Sequence, residues 1–271
     1  MAIPNDVLIS WARPGKNEMS KQTYSALREV IQENIPGCDV RLQGSYANST
    51  NVRDNSDIDI LVMCKGFSPS NQACQGPRPL SELKPFVYNS INGKRNYIFS
   101  MGKKTIEYKG SYGLRVPADI VPCVKFMLNG KDAIALYNSS NGQTIHNYPF
   151  QHIDNGESKS GRTNGNYKKS IRMFKNARNK LVSERMMDEK CAPSYFIECL
   201  IYNAPDSLFA GSEPEVFNNV LNWMINLAYT ADMICQDGIT KLFGNESTQW
   251  NVVDFVIFRS QLILLRINWR F

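Results

Sequence analysis

The chain has 271 residues, 42% of them hydrophobic, and 31 Lys and Arg against 25 Asp and Glu for a formal charge of +6. That composition supplies a sizeable core and excludes a chain too polar to fold; the mild basic excess suits ligands carrying several phosphates but does not by itself imply DNA or RNA. Seven scattered cysteines, an odd number with no C-x-x-C pair, argue against a disulfide framework or a zinc site and read as reduced thiols of a cytoplasmic chain.

In chain order, Tyr24, Leu27, Val30 and Ile31 recur at helical spacing over residues 20–34, and Pro36-Gly37 ends that helix. Residues 39–43 read as a strand entering a Gly44-Ser45 turn, with a helix start over 46–52. An apolar strand follows at 58–63, then a Pro-, Ser-, Gly- and Asn-rich loop at 67–85. Strands at 103–108 and 114–124 are expected to join through a hairpin turn at Lys109-Gly110-Ser111-Tyr112. Polar residues and glycines dominate 138–166, which reads as the crossing between lobes. Beyond it Tyr167, Ile171, Phe174, Arg178 and Leu181 form one helical stripe, and Val216, Val220, Trp223 and Leu227 another. Beside the first stripe Lys168, Arg172, Lys175 and Asn179 are placed to project along a cleft edge. The apolar stretch 252–269 is broken by Asp254, Arg259, Gln261 and Arg266, so it reads as a packed helix and no membrane span is expected. No basic region precedes an apolar run in residues 1–9, so no leader is expected. The expected fold class is α+β: a mixed sheet with helices over 1–155, whose N-terminal helix could span both lobes, and a helical bundle over 156–271, with a cleft between the lobes.

The chemistry is concentrated at Gly44-Ser45 and at Asp57-Ile58-Asp59-Ile60. Side chains two apart in a strand share a face, so Asp57 and Asp59 project together while Ile58 and Ile60 turn to the core. Magnesium takes hard oxygen ligands and keeps waters and phosphates, so two or three carboxylates on a sheet are a sufficient protein share. Asp119, flanked by Ala118, Ile120 and Val121, is the third, because an acid in so apolar a setting is costly without a partner. Glycine lets the backbone at Ser45 approach a triphosphate, and a helix start favours anions. An isolated Asp-x-Asp is mostly a solvated turn; the conjunction carries the assignment.

These residues resemble the DNA polymerase β-like nucleotidyltransferase superfamily. Gly44 through Arg53, Ser56 through Asp59, Ala118 through Pro122, Thr163 through Lys168 and Pro193-Ser194-Tyr195 are together similar to the CD-NTases, the cGAS/DncV-like nucleotidyltransferases, from about residue 20 onward. The resemblance implies that Lys175 contacts the donor triphosphate, that Ser194 contacts phosphate and that Tyr195 stacks on the base. Ser194 after Pro193 reads equally as a helix-start residue, and Tyr195 as core. Asn51 and Arg53 are further substrate-contact candidates, as is Asn166 for base choice. His146 and His152, the two histidines, read as loop or interface residues, and no spacing matches the zinc insertion of DNA-sensing relatives, so zinc-dependent DNA sensing is not expected.

The activity implied is template-independent nucleotidyl transfer. A ribose hydroxyl attacks the α-phosphate of a bound nucleoside triphosphate, and pyrophosphate leaves with the help of two Mg2+ or Mn2+ ions at Asp57, Asp59 and Asp119. The product expected from the resemblance is a cyclic di- or trinucleotide second messenger of bacterial anti-phage (CBASS-type) signalling. Transfer to RNA or protein and linear oligonucleotide synthesis are the alternatives. The chain is expected to be a cytoplasmic monomer, open to control by regulatory proteins.

Overall fold

The computed structural model describes residues 2–15, 18–52, 57–70, 77–110, 116–227, 232–246 and 248–269. It divides into two compact units that are discontinuous in sequence. One is built from Lys16–Ala47 and Asn55–Phe150, the other from Met1–Gly15, Asn48–Asp54 and Gln151–Phe271. The expected division at 155 falls a few residues later than this one. It also placed residues 2–15 and 48–52 with the sheet lobe, allowing the N-terminal helix to span both, whereas these residues group with the helices.

The sheet unit begins with α2 (Glu18–Asn34), which follows α1 (Asn5–Trp11) of the helical unit. Leu27, Val30 and Ile31 of α2 are buried against the sheet, as their spacing requires. The chain turns at Gly37, where φ is +80°, into β1 (Asp39–Gln43). One turn of helix, α3 (Gly44–Ala47), leads towards β2 (Ile58–Met63). The helix expected over 46–52 is thus a single turn set two residues earlier. Ser49 at φ +55° breaks any continuation, and Asn48 and Thr50 are drawn into the other unit by hydrogen bonds to Glu198.

The loop expected over 67–85 ends earlier than read, because α4 (Leu83–Ile91) begins inside it. Pro85 sits in its first turn, where the missing N–H costs nothing, and Leu83, Val87 and Ile91 reach the core. The expected strand 103–108 is shortened to β4 (Ile106–Tyr108), and a further strand, β3 (Phe99–Met101), precedes it across a turn closed by Gly102 N–H donating to Thr105 O at 2.9 Å. β4 runs antiparallel to β5 (Ala118–Leu128), as a hairpin demands; of the turn between them, Ser111 and Tyr112 lie outside the described residues.

β6 (Lys131–Asn138) and β7 (Gln143–Asn147) extend the outer half of β5, and α5 (Pro149–Arg162) opens the helical unit. Residues 138–166 are therefore mostly strand and helix. Their polar composition misleads because β7 is a half-exposed edge and α5 presents a wide polar face. In the sheet, seven-stranded among the described residues, the order is β1-β2-β5-β4-β3, with β6 and β7 beyond β5. β2 and β5 are parallel, and the other pairs are antiparallel.

The two faces of the central strands differ. Ile58, Ile60 and Val62 join the larger core with α2 and α4, whereas Leu61, Met63, Val121 and Cys123 join a small cluster with Ile134 and Leu136. The alternation puts Asp59 and Asp119 on the second face, at one end of this small cluster. The helical unit packs α6 (Asn166–Ser183) centrally, with α7 (Ser194–Tyr202), α8 (Glu213–Ile225) and α9 (Val252–Ile267) around it. The stripe Tyr167, Ile171, Phe174, Arg178 and Leu181 is buried as expected, and α1 adds Leu8 to the same core. No helix among the described residues is long and apolar enough to cross a membrane.

Candidate active site

The register of four strands builds the acidic site. Gln43 stands opposite Asp59, Asp59 opposite Asp119, and Asp119 opposite Glu107, one transverse row across β1, β2, β5 and β4. Directly opposed residues project to one face, so the row is fixed by backbone pairing and not by flexible side chains. Asp57, exposed, precedes β2 by one residue and has the parity of Asp59. Burial, followed by the charges of Asp57 and Glu107, pushes the Asp119 carboxyl above its usual range against a hydrogen bond from Thr105.

Gly44 closes the row on the β1 side. Its φ is +67°, and a Cβ there would lie 2.1 Å from Asp59 Oδ2, so the turn bearing Ser45 touches the carboxylate only because the residue is glycine. Ser45 is half-buried in the single turn of α3.

The donors fit a divalent cation in kind: aligned carboxylates that repel one another, and Gln43, whose side-chain oxygen is buried without a partner among the described residues. They do not form a closed cage, since no group of three His, Cys, Asp or Glu side chains among the described residues is gathered tightly enough to hold a metal alone.

The remaining candidates belong to the helical unit, except Arg53, which lies outside the described residues. Lys175 is only 2% exposed. Its amine is ion-paired with Glu198 and donates to Thr50 O and Oγ1 at 3.2 and 3.1 Å. Burial raises the Glu198 carboxyl, but the charge of Lys175, with His152 and hydrogen bonds from both, outweighs it and holds Glu198 well below the usual carboxylate range. Lys168 and Arg172 are buried too: Lys168 pairs with Glu157, and Arg172 donates to Ala12 O and Ser49 O, both at 2.6 Å. The cationic stripe read as a cleft edge is thus spent largely inside its own unit.

Ser194 opens α7, and its hydroxyl accepts from Arg178 at 2.9 Å. Tyr195 beside it is 43% exposed and stacks on His152 at 5.4 Å between ring centroids. Asn166 starts α6 and donates to Phe209 O and Gly211 O at 2.9 and 3.2 Å, and Asn51 is buried with its amide 3.5 Å from Gly15 O. Reading the sequence alone missed Glu107, Glu198 and His152. Glu107 carries a signal, an acid amid apolar strand residues; Glu198 and His152 acquire their roles only through partners distant in the chain.

Two family models match the chain: a nucleotidyltransferase domain over residues 25–137 and a cGAS/DncV-like nucleotidyltransferase C-terminal helical domain over residues 154–265. Cyclic UMP-AMP synthase of Rhodothermus marinus is 33% identical, with 93% of each chain covered. The chain belongs to the cGAS/DncV-like nucleotidyltransferases. Cyclic nucleotide synthase CdnE01 of Staphylococcus haemolyticus is 30% identical over 94% of this chain and 95% of the relative. The solved Rhodothermus marinus CdnE c-UMP-AMP synthase with Apcpp and Upnpp superposes with a TM-score of 0.86 at 31% identity, covering 99% of this chain and 98% of that one. The α+β fold, with an open mixed sheet and a helical C-terminal region, is that of the family, and this member is a nucleotidyltransferase.

Proposed function

We propose that this nucleotidyltransferase joins nucleoside triphosphates into a cyclic di- or trinucleotide, releasing pyrophosphate, with Mg2+ or Mn2+ held by Asp57, Asp59 and Asp119. The observation that carries the site is the in-register pairing of Asp59 with Asp119 across parallel strands, with Gly44 against Asp59. The cyclic product is supported by the relatives, a cyclic UMP-AMP synthase and a cyclic nucleotide synthase matched over nearly their whole length. Triphosphate substrates are supported by Apcpp and Upnpp in the solved Rhodothermus marinus synthase.

Divalent ions, when bound, polarise the attacking hydroxyl and neutralise the departing pyrophosphate. Asp59 and Asp119 hold fixed oxygens on the sheet, so little reorganisation is needed as charge develops. Asp119, its proton affinity raised by burial and neighbouring acids, is the residue suited to accept the proton of the attacking ribose hydroxyl. Gly44-Ser45 offers a hydroxyl and close backbone to the triphosphate, and Tyr195 a face for a base. Bacterial anti-phage signalling in the cytoplasm, open to control by regulatory proteins, is the setting this reading implies.

The test is incubation of the purified chain with labelled ATP, GTP, CTP and UTP plus magnesium, then phosphatase and mass spectrometry. Phosphatase-resistant small nucleotides are expected. Exclusively linear products, or label on RNA or protein, would overturn the cyclic assignment. Replacing both Asp57 and Asp59 by Ala should abolish pyrophosphate release while leaving the thermal midpoint nearly unchanged, and retained turnover would remove these residues from the mechanism.

A further inference from the structure

His152 lies on α5, 8% exposed, with its ring plane tilted 20° from that of Tyr195. Its Nε2 is 3.3 Å from Glu198 Oε2, and Nδ1 is buried with no hydrogen-bond partner among the described residues. Glu198 already accepts from Lys175, from Thr50 Oγ1 at 2.5 Å and from Asn48 Nδ2 at 3.3 Å. A carboxylate so surrounded has no proton to give, so Nε2 is the donor, and Nδ1 stays without a partner among the described residues.

A leucine would fill this space without burying an unpaired nitrogen, so simple packing does not account for an imidazole here. What the ring does is hold one face of Tyr195 from behind, with its own edge pinned by Glu198. Phe196 meets Tyr195 edge-on, at an interplanar angle of 66°, and steadies it from the side. Tyr195 still exposes 43% of its surface, as a platform for a planar ligand must.

We propose that His152 is a positioning residue for the nucleobase: it backs the Tyr195 platform and, through Glu198, ties that platform to Lys175. The proposal rests on the nucleotide-binding reading above, in which Tyr195 stacks on a base. One carboxylate then sets both the plane beneath the base and the lysine that the family resemblance assigns to the triphosphate.

The test measures binding of the unreactive analogue α,β-methylene ATP to the full chain with magnesium, by calorimetry, in a double-mutant cycle of His152→Gln and Tyr195→Ala. Glutamine keeps an N–H for Glu198 and removes the ring. His152→Gln is expected to weaken binding roughly 3- to 10-fold, the range for losing one aromatic pair. The same change in the Tyr195→Ala background should have no further effect, and His152→Phe, which restores the ring but not the donor to Glu198, should bind better than His152→Gln yet short of wild type. Urea midpoints of the variants are followed in parallel, and any stability loss common to both backgrounds cancels in the cycle. An equal loss in both backgrounds, or no loss in either, would overturn the proposal. A wild-type chain that does not bind the analogue would instead overturn the nucleotide reading on which it depends.

Discussion

At Gly44 a single missing atom brings the Gly44-Ser45 turn against the carboxylate row. Alanine there meets Asp59 Oδ2 at 2.1 Å and must also hold φ near +67°, which an L side chain resists by about 1 kcal/mol or more. Gly44→Ala is therefore expected to lower pyrophosphate release at least tenfold in a coupled assay while lowering the thermal midpoint by only a few degrees. Asp119 behaves in the opposite sense. Its carboxyl is held above its usual range by burial and by Asp57 and Glu107, so above that range the folded protein carries an unfavourable charge. Asp119→Asn, measured by thermal unfolding in EDTA at pH 7, should be as stable as wild type or more so, yet catalytically inactive. The placement of Gly44 against Asp59 and of Asp59 beside Asp119 was legible because strand parity and a glycine turn are local patterns. The partnership of Asp119 with Glu107 was not, since it depends on which strand lies alongside β5.

Between α6 and α7 the decisive contact is the buried pair of Lys175 and Glu198, with side chains 2% and 5% exposed. Removing one member of such a pair leaves a charge uncompensated in the interior, at a cost of about 3–5 kcal/mol. Glu198→Ala should lose stability of that order in urea denaturation at pH 7. The native Glu198 carboxyl lies below its unfolded value, near 4.3, so the unfolded chain takes up its proton first as pH falls. The contribution is complete above that value, declines as the medium is acidified through it, and is exhausted only below the native pKa. Wild type should thus lose stability between about pH 5 and pH 2 more steeply than Glu198→Gln. Reading α6 by periodicity located the helix and its apolar stripe. It misplaced Lys168, Arg172 and Lys175, because their acceptors on Glu157, Ala12, Ser49 and Glu198 come from other elements. The same limit hid β7 and α5, whose amphipathic faces are dominated by polar residues.

Among the described residues each unit forms a main core around its own secondary structure, while the chain passes between the units more than once. The sheet core gathers Ile58, Ile60 and Ile120 with α2 and α4; the helical core gathers Phe174, Phe217 and Trp250 with Leu8 of α1. The membership of Leu8 and Thr50 in the helical unit was illegible, because it is set by contacts more than a hundred residues away, such as Arg172 with Ala12 and Lys175 with Thr50. The identity of the sheet and of the helical half was legible from pattern alone. A bound triphosphate should register at this scale as added stability, since a ligand that binds only the folded form stabilises it by about 2.7 kcal/mol at a hundred times its Kd. For a chain of this size, where each kcal/mol moves the midpoint by roughly 2–4 °C, the expected rise is about 5–10 °C in a thermal scan with magnesium and ATP. If the phosphates are held chiefly through cations on the acidic row, EDTA should remove most of the rise, and the paired substitutions Asp57→Asn and Asp59→Asn should remove it without chelator. A rise unchanged by both treatments would mean that protein donors alone hold the triphosphate, and would place its binding away from β2.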